Sequence, residues 1–113
     1  MDFNKHKPIY LQIADTICEK ILSGELEPGG RILSVRELGV NLGVNPNTVA
    51  RVYEHLQGLG IIYNRRGIGY FVSDDAKSLI IKQQREEFIQ RELPLIIKRM
   101  KMLEIPLDVL LPE

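Results

Sequence analysis

Ile9, Ile13, Ile17 and Ile21 recur at every fourth position, with Tyr10, Ala14 and Leu22 beside them. That spacing lays one apolar stripe along a helix and predicts an element from about Pro8 to Ser23. Pro8 suits a first helical turn, and Gly24 stands where a helix is expected to close. Glu27-Pro28-Gly29-Gly30 then reads as a turn. A second helix is predicted over about Val35 to Leu42, with Val35, Leu38 and Leu42 on its inner face. Ser34 and Glu37 stand at the spacing of a capping box, in which each satisfies the other's amide. Gly43 ends that helix and Val44 reads as a buried turn residue. Asn45-Pro46 joins an N-cap to a first-position proline and starts a third helix that runs to about Gly58. Val49, Val52 and Leu56 face inward with Tyr53 at their flank, which leaves Asn47, Thr48, Arg51 and His55 mostly on the outer side.

Ile61-Ile62-Tyr63 and Tyr70-Phe71-Val72 are β-branched and aromatic runs on either side of a loop punctuated by Gly67 and Gly69. They predict a hairpin. Asp74-Asp75 caps the next segment. Beyond it, Phe88 and Ile89, Leu95 and Ile96, and Met102 and Leu103 repeat at steps of seven. Pro94 interrupts that helical pattern, so two stretches meeting near Leu93-Pro94 are expected. Pro106 ends the second, and Leu107–Leu111 reads as a short final turn. Two helices joined by a glycine turn and followed by a hairpin make a winged helix-turn-helix. The fold class is therefore mainly α with a small β-hairpin. Residues 1–73 form the winged helix-turn-helix domain, and residues 74–113 a short C-terminal helical dimerisation segment.

A chain of 113 residues has room for one small domain and an appendage. No apolar run approaches the roughly 18 residues of a membrane span, and the N-terminus lacks a secretory apolar region. The expectation is a cytoplasmic protein with no membrane partner. Cys18, the one cysteine, excludes an internal disulfide and reads as a half-buried small side chain.

Fifteen Lys and Arg balance fifteen Asp and Glu, so a generic basic coat for nucleic acid is excluded. Residues 1–73 carry 8 basic and 7 acidic side chains, and residues 74–113 carry 7 and 8. A nucleic-acid site on this chain must therefore gather its charge locally, and Arg36, Arg51, Arg65 and Arg66 are the candidates.

Such a fold reads double-stranded DNA with side chains at the start of its second motif helix. Asn47, Thr48 and Arg51 occupy that end: Asn pairs with adenine, Arg with guanine, and Thr with a phosphate or a thymine methyl. The competing reading is a solvated helix face. Arg36 opposes the dipole at a helix start, a misfit that a phosphate would relieve; its alternative is a surface ion pair with Glu37 or another acid. Arg65 and Arg66 load two charges onto a two-glycine loop that lets the backbone approach a groove. The apolar residues Phe88, Ile89, Ile96 and Leu103 would leave a large exposed patch, which a second copy of the chain buries; packing back on the same chain is the alternative. His6 reads as a mobile terminal residue and His55 as a groove-adjacent or surface residue. With no metal-ligand spacing and no catalytic constellation, neither an enzyme, a metal nor a cofactor is expected.

These residues resemble the GntR family of bacterial transcription regulators over about Ile9–Val72. The likeness is carried by Ile9-Tyr10-Leu11-Gln12-Ile13, Gly24-Glu25-Leu26-Glu27-Pro28-Gly29, Ser34-Val35-Arg36-Glu37-Leu38, Leu42-Gly43-Val44-Asn45, Thr48-Val49, Leu59-Gly60 and Gly67-Ile68-Gly69-Tyr70-Phe71-Val72. The short tail and Asn45-Pro46-Asn47-Thr48-Val49 look like the YtrA subfamily. The resemblance implies a homodimeric repressor on an inverted-repeat operator. It also implies DNA contacts at Ser34, Arg36, Asn47, Thr48, Arg66, Gly67 and Gly69; Arg51 is added from helix geometry. Leu33, Gly39, Pro46 and Ala50 stand where the family commonly has Pro, Ala, Arg and Arg. Two other readings stay open: a winged-helix protein-interaction module, and an effector-sensing regulator with a ligand cleft at the dimer interface, the effector being unspecified.

Overall fold

The computed structural model describes residues 7–111, so the expectation for His6 lies outside the described residues. The chain forms two compact units, one up to Ile81 and one from Lys82. Among the described residues no helix is long and apolar enough to cross a membrane.

The first unit contains α1 (Ile9–Leu22), α2 (Val35–Leu42), α3 (Pro46–Gly58), β1 (Ile62–Arg65), β2 (Gly69–Val72) and the start of α4 (Ala76–Glu87). In the isoleucine stripe of α1, Ile9 at the helix start is exposed, whereas the other three, Ile13, Ile17 and Ile21, are buried with Ala14 and Cys18. Against them pack Val49, Val52, Tyr53 and Leu56 of α3, and Ile61, Ile62 and Val72 around the hairpin. Burial contributes about 1.5–3 kcal/mol for each large apolar side chain, whereas a helix cap is worth about 1 kcal/mol. The core thus holds α3 in place, and the cap decides where it begins.

Other details also differ from the sequence reading. Leu42 is exposed, and the buried residue of α2 is Gly39, because the helix lies too close to the following turn to admit a side chain there. The first unit extends past Ser73, since Ala76 and Ile80 of α4 are fully buried in its core. Cys18 is buried rather than half-buried; that burial, with Asp15 and Glu19 nearby, pushes its thiol up to about 11.

Tyr53 is not a flanking residue either. Only 1% of it is exposed, its hydroxyl donates a 2.6 Å hydrogen bond to the Leu33 carbonyl, and its ring stands edge-on to Tyr70 at 4.9 Å. Burial, with Tyr70 and Glu37 adding to it, raises its phenol to about 12.

The second unit continues α4 to Glu87, followed by a π-helical turn over Phe88–Glu92, α5 (Leu93–Met102) and a 3-10 turn over Leu107–Leu110. The expected junction at Leu93-Pro94 takes an unusual form. The Leu93 amide donates to the Phe88 carbonyl, five residues back, so the helix widens just ahead of the proline. Pro94 has no amide to donate and its ring crowds the preceding turn; the wider turn accommodates both faults without a break.

Replacing Tyr53 by Phe removes the bond to Leu33 and is expected to cost about 1 kcal/mol in urea denaturation. The pH dependence carries a sign. A phenol raised from 10.0 to about 12 on folding contributes stability that is complete below pH 10 and lost as pH climbs through 12. Cys18, raised from 9.0 to about 11, contributes in the same direction one unit earlier. Tyr53→Phe should therefore lose less stability than the parent between about pH 10 and about pH 12. An identical alkaline loss in both proteins would count against a buried neutral phenol.

Candidate nucleic-acid interface

The start of α2 is built by the predicted capping box. The Glu37 amide donates to Ser34 Oγ at 3.0 Å, and the Ser34 amide donates to Glu37 Oε1 at 2.9 Å. The Ser34 amide, then its hydroxyl, hold the Glu37 carboxyl below its ordinary range, and the charge of Arg31 adds to the effect. With Glu37 occupied in this way, the exposed Arg36 makes no ion pair among the described residues. The ion-pair alternative for Arg36 is not the observed arrangement.

The turn between α2 and α3 is tight. Gly43 sits in the left-handed region, at φ 67° and ψ 33°, and the Val44 amide returns to the Gly39 carbonyl at 2.9 Å. A β-carbon on Gly39 would stand 3.0 Å from the Val44 carbonyl oxygen. Asn45 Oδ1 accepts from the Asn47 amide at 2.8 Å, which spends the Asn45 side chain on the cap and leaves that of Asn47 exposed. Thr48 is half-buried and Arg51 exposed.

Arg51 does not simply stand out from the helix. Its guanidinium lies 4.1 Å from the centre of the Tyr10 ring on α1, and His55 meets the same ring edge-on at 6.0 Å. The groove-adjacent expectation for His55 thus resolves into packing on α1. Beside them is an open cleft of about 390 Å³ lined by Tyr10, Arg51, Glu54, His55, Gly58 and Leu59. An exposed cation–π contact is worth about 0.5–1 kcal/mol, and a bidentate Arg–guanine pair about 1–3 kcal/mol. The tyrosine parks Arg51 without outbidding a base.

The hairpin pairs Ile62 with Val72, Tyr63 with Phe71, Asn64 with Tyr70 and Arg65 with Gly69. Ile62 and Val72 point into the core, so Tyr63, Arg65, Gly69 and Phe71 share the outer face. Tyr63 and Phe71 stack at 5.7 Å, and Arg65 lies 5.5 Å from the Phe71 ring. Arg65 therefore ends a strand instead of sitting at the tip; Arg66 and Gly67 form the exposed turn. Among the described residues no group of His, Cys, Asp and Glu is placed to hold a metal ion.

One element escaped the sequence reading. Residues 29–32 run alongside β2: the Gly29 amide donates to Val72 O at 2.8 Å, the Val72 amide to Gly30 O at 2.9 Å, and the Ile32 amide to Tyr70 O at 3.0 Å. Arg31 faces Phe71 in this pairing. The only local signal was exposed Arg31 beside buried Ile32, an alternation too short to separate from the turn before it. In the second unit, Phe88, Ile89 and Leu103 are exposed and Ile96 is half-buried.

The family model for "Bacterial regulatory proteins, gntR family" matches residues 9–72. The chain is 38% identical over 109 residues to the uncharacterized HTH-type transcriptional regulator YhcF of Bacillus subtilis, covering 96% of this chain and 88% of that protein. It is 39% identical over 82 residues to the HTH-type transcriptional repressor YtrA of the same organism, covering 73% of this chain and 63% of the repressor. A solved structure of a GntR-family regulator from Bacteroides thetaiotaomicron superposes with a TM-score of 0.77 at 47% identity, covering 91% of this chain and 89% of that one.

The contact between Arg51 and Tyr10 is testable without DNA. In a double-mutant cycle of Arg51→Ala and Tyr10→Leu, denaturation should return a coupling of about 0.5–1 kcal/mol. Strict additivity would mean that the guanidinium does not rest on the ring in solution.

Proposed function

The chain belongs to the GntR family of bacterial regulatory proteins and is a DNA-binding transcription regulator similar to YtrA, and from that premise we propose that it acts as a homodimeric repressor on an inverted-repeat operator in the cytoplasm. The observation that carries the DNA-contact assignment is the way one unit joins three polar elements. Tyr53 of α3 bonds the Leu33 carbonyl next to Ser34 and packs on Tyr70 of the hairpin. One side chain therefore fixes the start of α2 and the wing relative to the motif's second helix.

In this reading Ser34, Arg36, Arg65, Arg66, Gly67 and Gly69 meet the DNA backbone, and Asn47, Thr48 and Arg51 meet base edges. Arg51 leaves the Tyr10 ring to do so, at a cost smaller than the guanine pair returns. The exposure of Phe88, Ile89 and Leu103 supports a second copy as the partner of residues 82–113. A two-fold dimer suits an operator with two half-sites. No catalytic role is assigned.

Genome-wide recovery of bound fragments should return an inverted repeat. On it, Arg51→Ala should cost about 1–3 kcal/mol while leaving random DNA nearly unaffected. Equal losses on both would remove Arg51 from base reading. Ile96→Glu with Leu103→Glu should yield monomers in sedimentation and weaken full-operator binding on the order of 10²–10⁴-fold, toward that of one half-site. A monomeric parent protein would overturn the dimer. Absence of salt-sensitive duplex binding in the parent would favour a protein-interaction module instead.

A further inference from the structure

We propose that Arg31 is an additional DNA-backbone contact, a guanidinium seated across Gly69 that grips a phosphate between the wing and the start of α2. The inference rests on the DNA-binding reading above. It begins with the strand-like run of residues 29–32. Ile32 is buried, so Arg31, its neighbour, projects to the opposite, solvent-facing side of the sheet. Its direct partner across the pairing is Phe71, and Gly69 is the next residue of β2 on the same face.

At Gly69 the missing side chain matters. A β-carbon there would come within 3.1 Å of Arg31 Nε and 3.6 Å of Nη2. The guanidinium occupies the space that any larger residue would fill, and the glycine adopts φ 140°, a backbone conformation that disfavours side chains anyway. Arg65 is the residue paired with Gly69 from β1. Two cationic side chains thus flank one glycine from the strands on either side.

Neither cation has an acidic partner among the described residues, and Arg65 has only the Phe71 ring beside it. The acid that senses Arg31 is Glu37, whose carboxylate is already engaged by the Ser34 amide at 2.9 Å. Arg31 therefore lies near both the wing and the first turn of α2, five residues before Arg36. Like charges brought together without an acceptor repel, and an anion placed between them removes that repulsion. The backbone around Arg31 is held by ladder bonds at Gly30 and Ile32, so little backbone freedom is lost when the guanidinium is used. A planar fork of donors suits a phosphodiester oxygen pair.

The test uses the full chain and a random-sequence duplex of about 30 base pairs, because a phosphate contact is blind to sequence. Binding is measured between about 50 and about 200 mM salt for the parent, Arg31→Ala, Arg31→Lys and Gly69→Ala. Loss of one phosphate contact lowers the slope of log affinity against log salt by about 0.9. Arg31→Ala should accordingly be about three- to fourfold more damaging at the low-salt end than at the high-salt end. Arg31→Lys should keep the parent's slope, since the charge remains. Gly69→Ala should weaken binding in the parent background, because a β-carbon there displaces the Arg31 guanidinium and strains the backbone at φ 140°. An Arg31→Ala protein with unchanged denaturation midpoint, affinity and salt slope overturns the proposal. A parent protein that binds no duplex at any salt instead overturns the reading beneath it.

Discussion

The hydroxyl of Tyr53 is the joint of the first unit. It sits on the inner face of α3, and it reaches the backbone just before α2 while its ring stands edge-on to β2. A phenylalanine would fill the same space, but the position of Ser34 relative to α3 would then depend on apolar contacts alone. Those contacts are strong and non-directional, whereas a 2.6 Å hydrogen bond fixes one carbonyl to one side chain. Burial keeps the phenol protonated, so the donor is present throughout the neutral range. On the proposed reading this rigidity has a use, because backbone contacts from α2 and the wing would set where the ends of α3 fall on the duplex.

Much of this arrangement was legible in the residues, because its determinants are local. The capping box, the left-handed Gly43 and the Asn45-Pro46 start are interactions within three or four residues, and each appears where its spacing predicts. What escaped is non-local. The pairing of residues 29–32 with β2 joins positions some forty apart, and the Pro28-Gly29-Gly30 signal for a turn overshadowed it. Helical periodicity correctly turned Arg51 outward, but nothing within α3 indicates that Tyr10 of α1 stands beneath it. Gly39 stood out only as a departure from the family's common alanine; its reason is the carbonyl of Val44, which lies beyond the helix end.

Charge explains how a neutral chain serves a polyanion. Arg31, Arg36, Arg65 and Arg66 are all exposed in the first unit, and Glu37, the acid next to Arg36 in sequence, is committed to its cap. Among the described residues none of these four arginines takes part in an ion pair, so the acids that lower the net charge leave this group unpaired. A neutral total also limits indiscriminate attraction to nucleic acid, which leaves selectivity to base contacts.

The π-helical turn gives the second unit a consequence that the step of seven alone conceals. A five-residue π turn holds about one residue more than an α-helical turn, so everything after it is rotated by about 100° relative to an uninterrupted helix. Phe88 therefore no longer shares a face with Leu95 and Met102. It falls in line with Ile96, eight positions on, and Ile96 in turn with Leu103. Three of the four residues assigned to dimerisation thus form one row because of the irregularity, with Ile89 beside the first of them. Pro94 is the source of the irregularity: without it, the helix would have no missing donor to accommodate and no need for the wider turn. A proline that reads as a break is, in this chain, what brings Phe88, Ile96 and Leu103 into one apolar row.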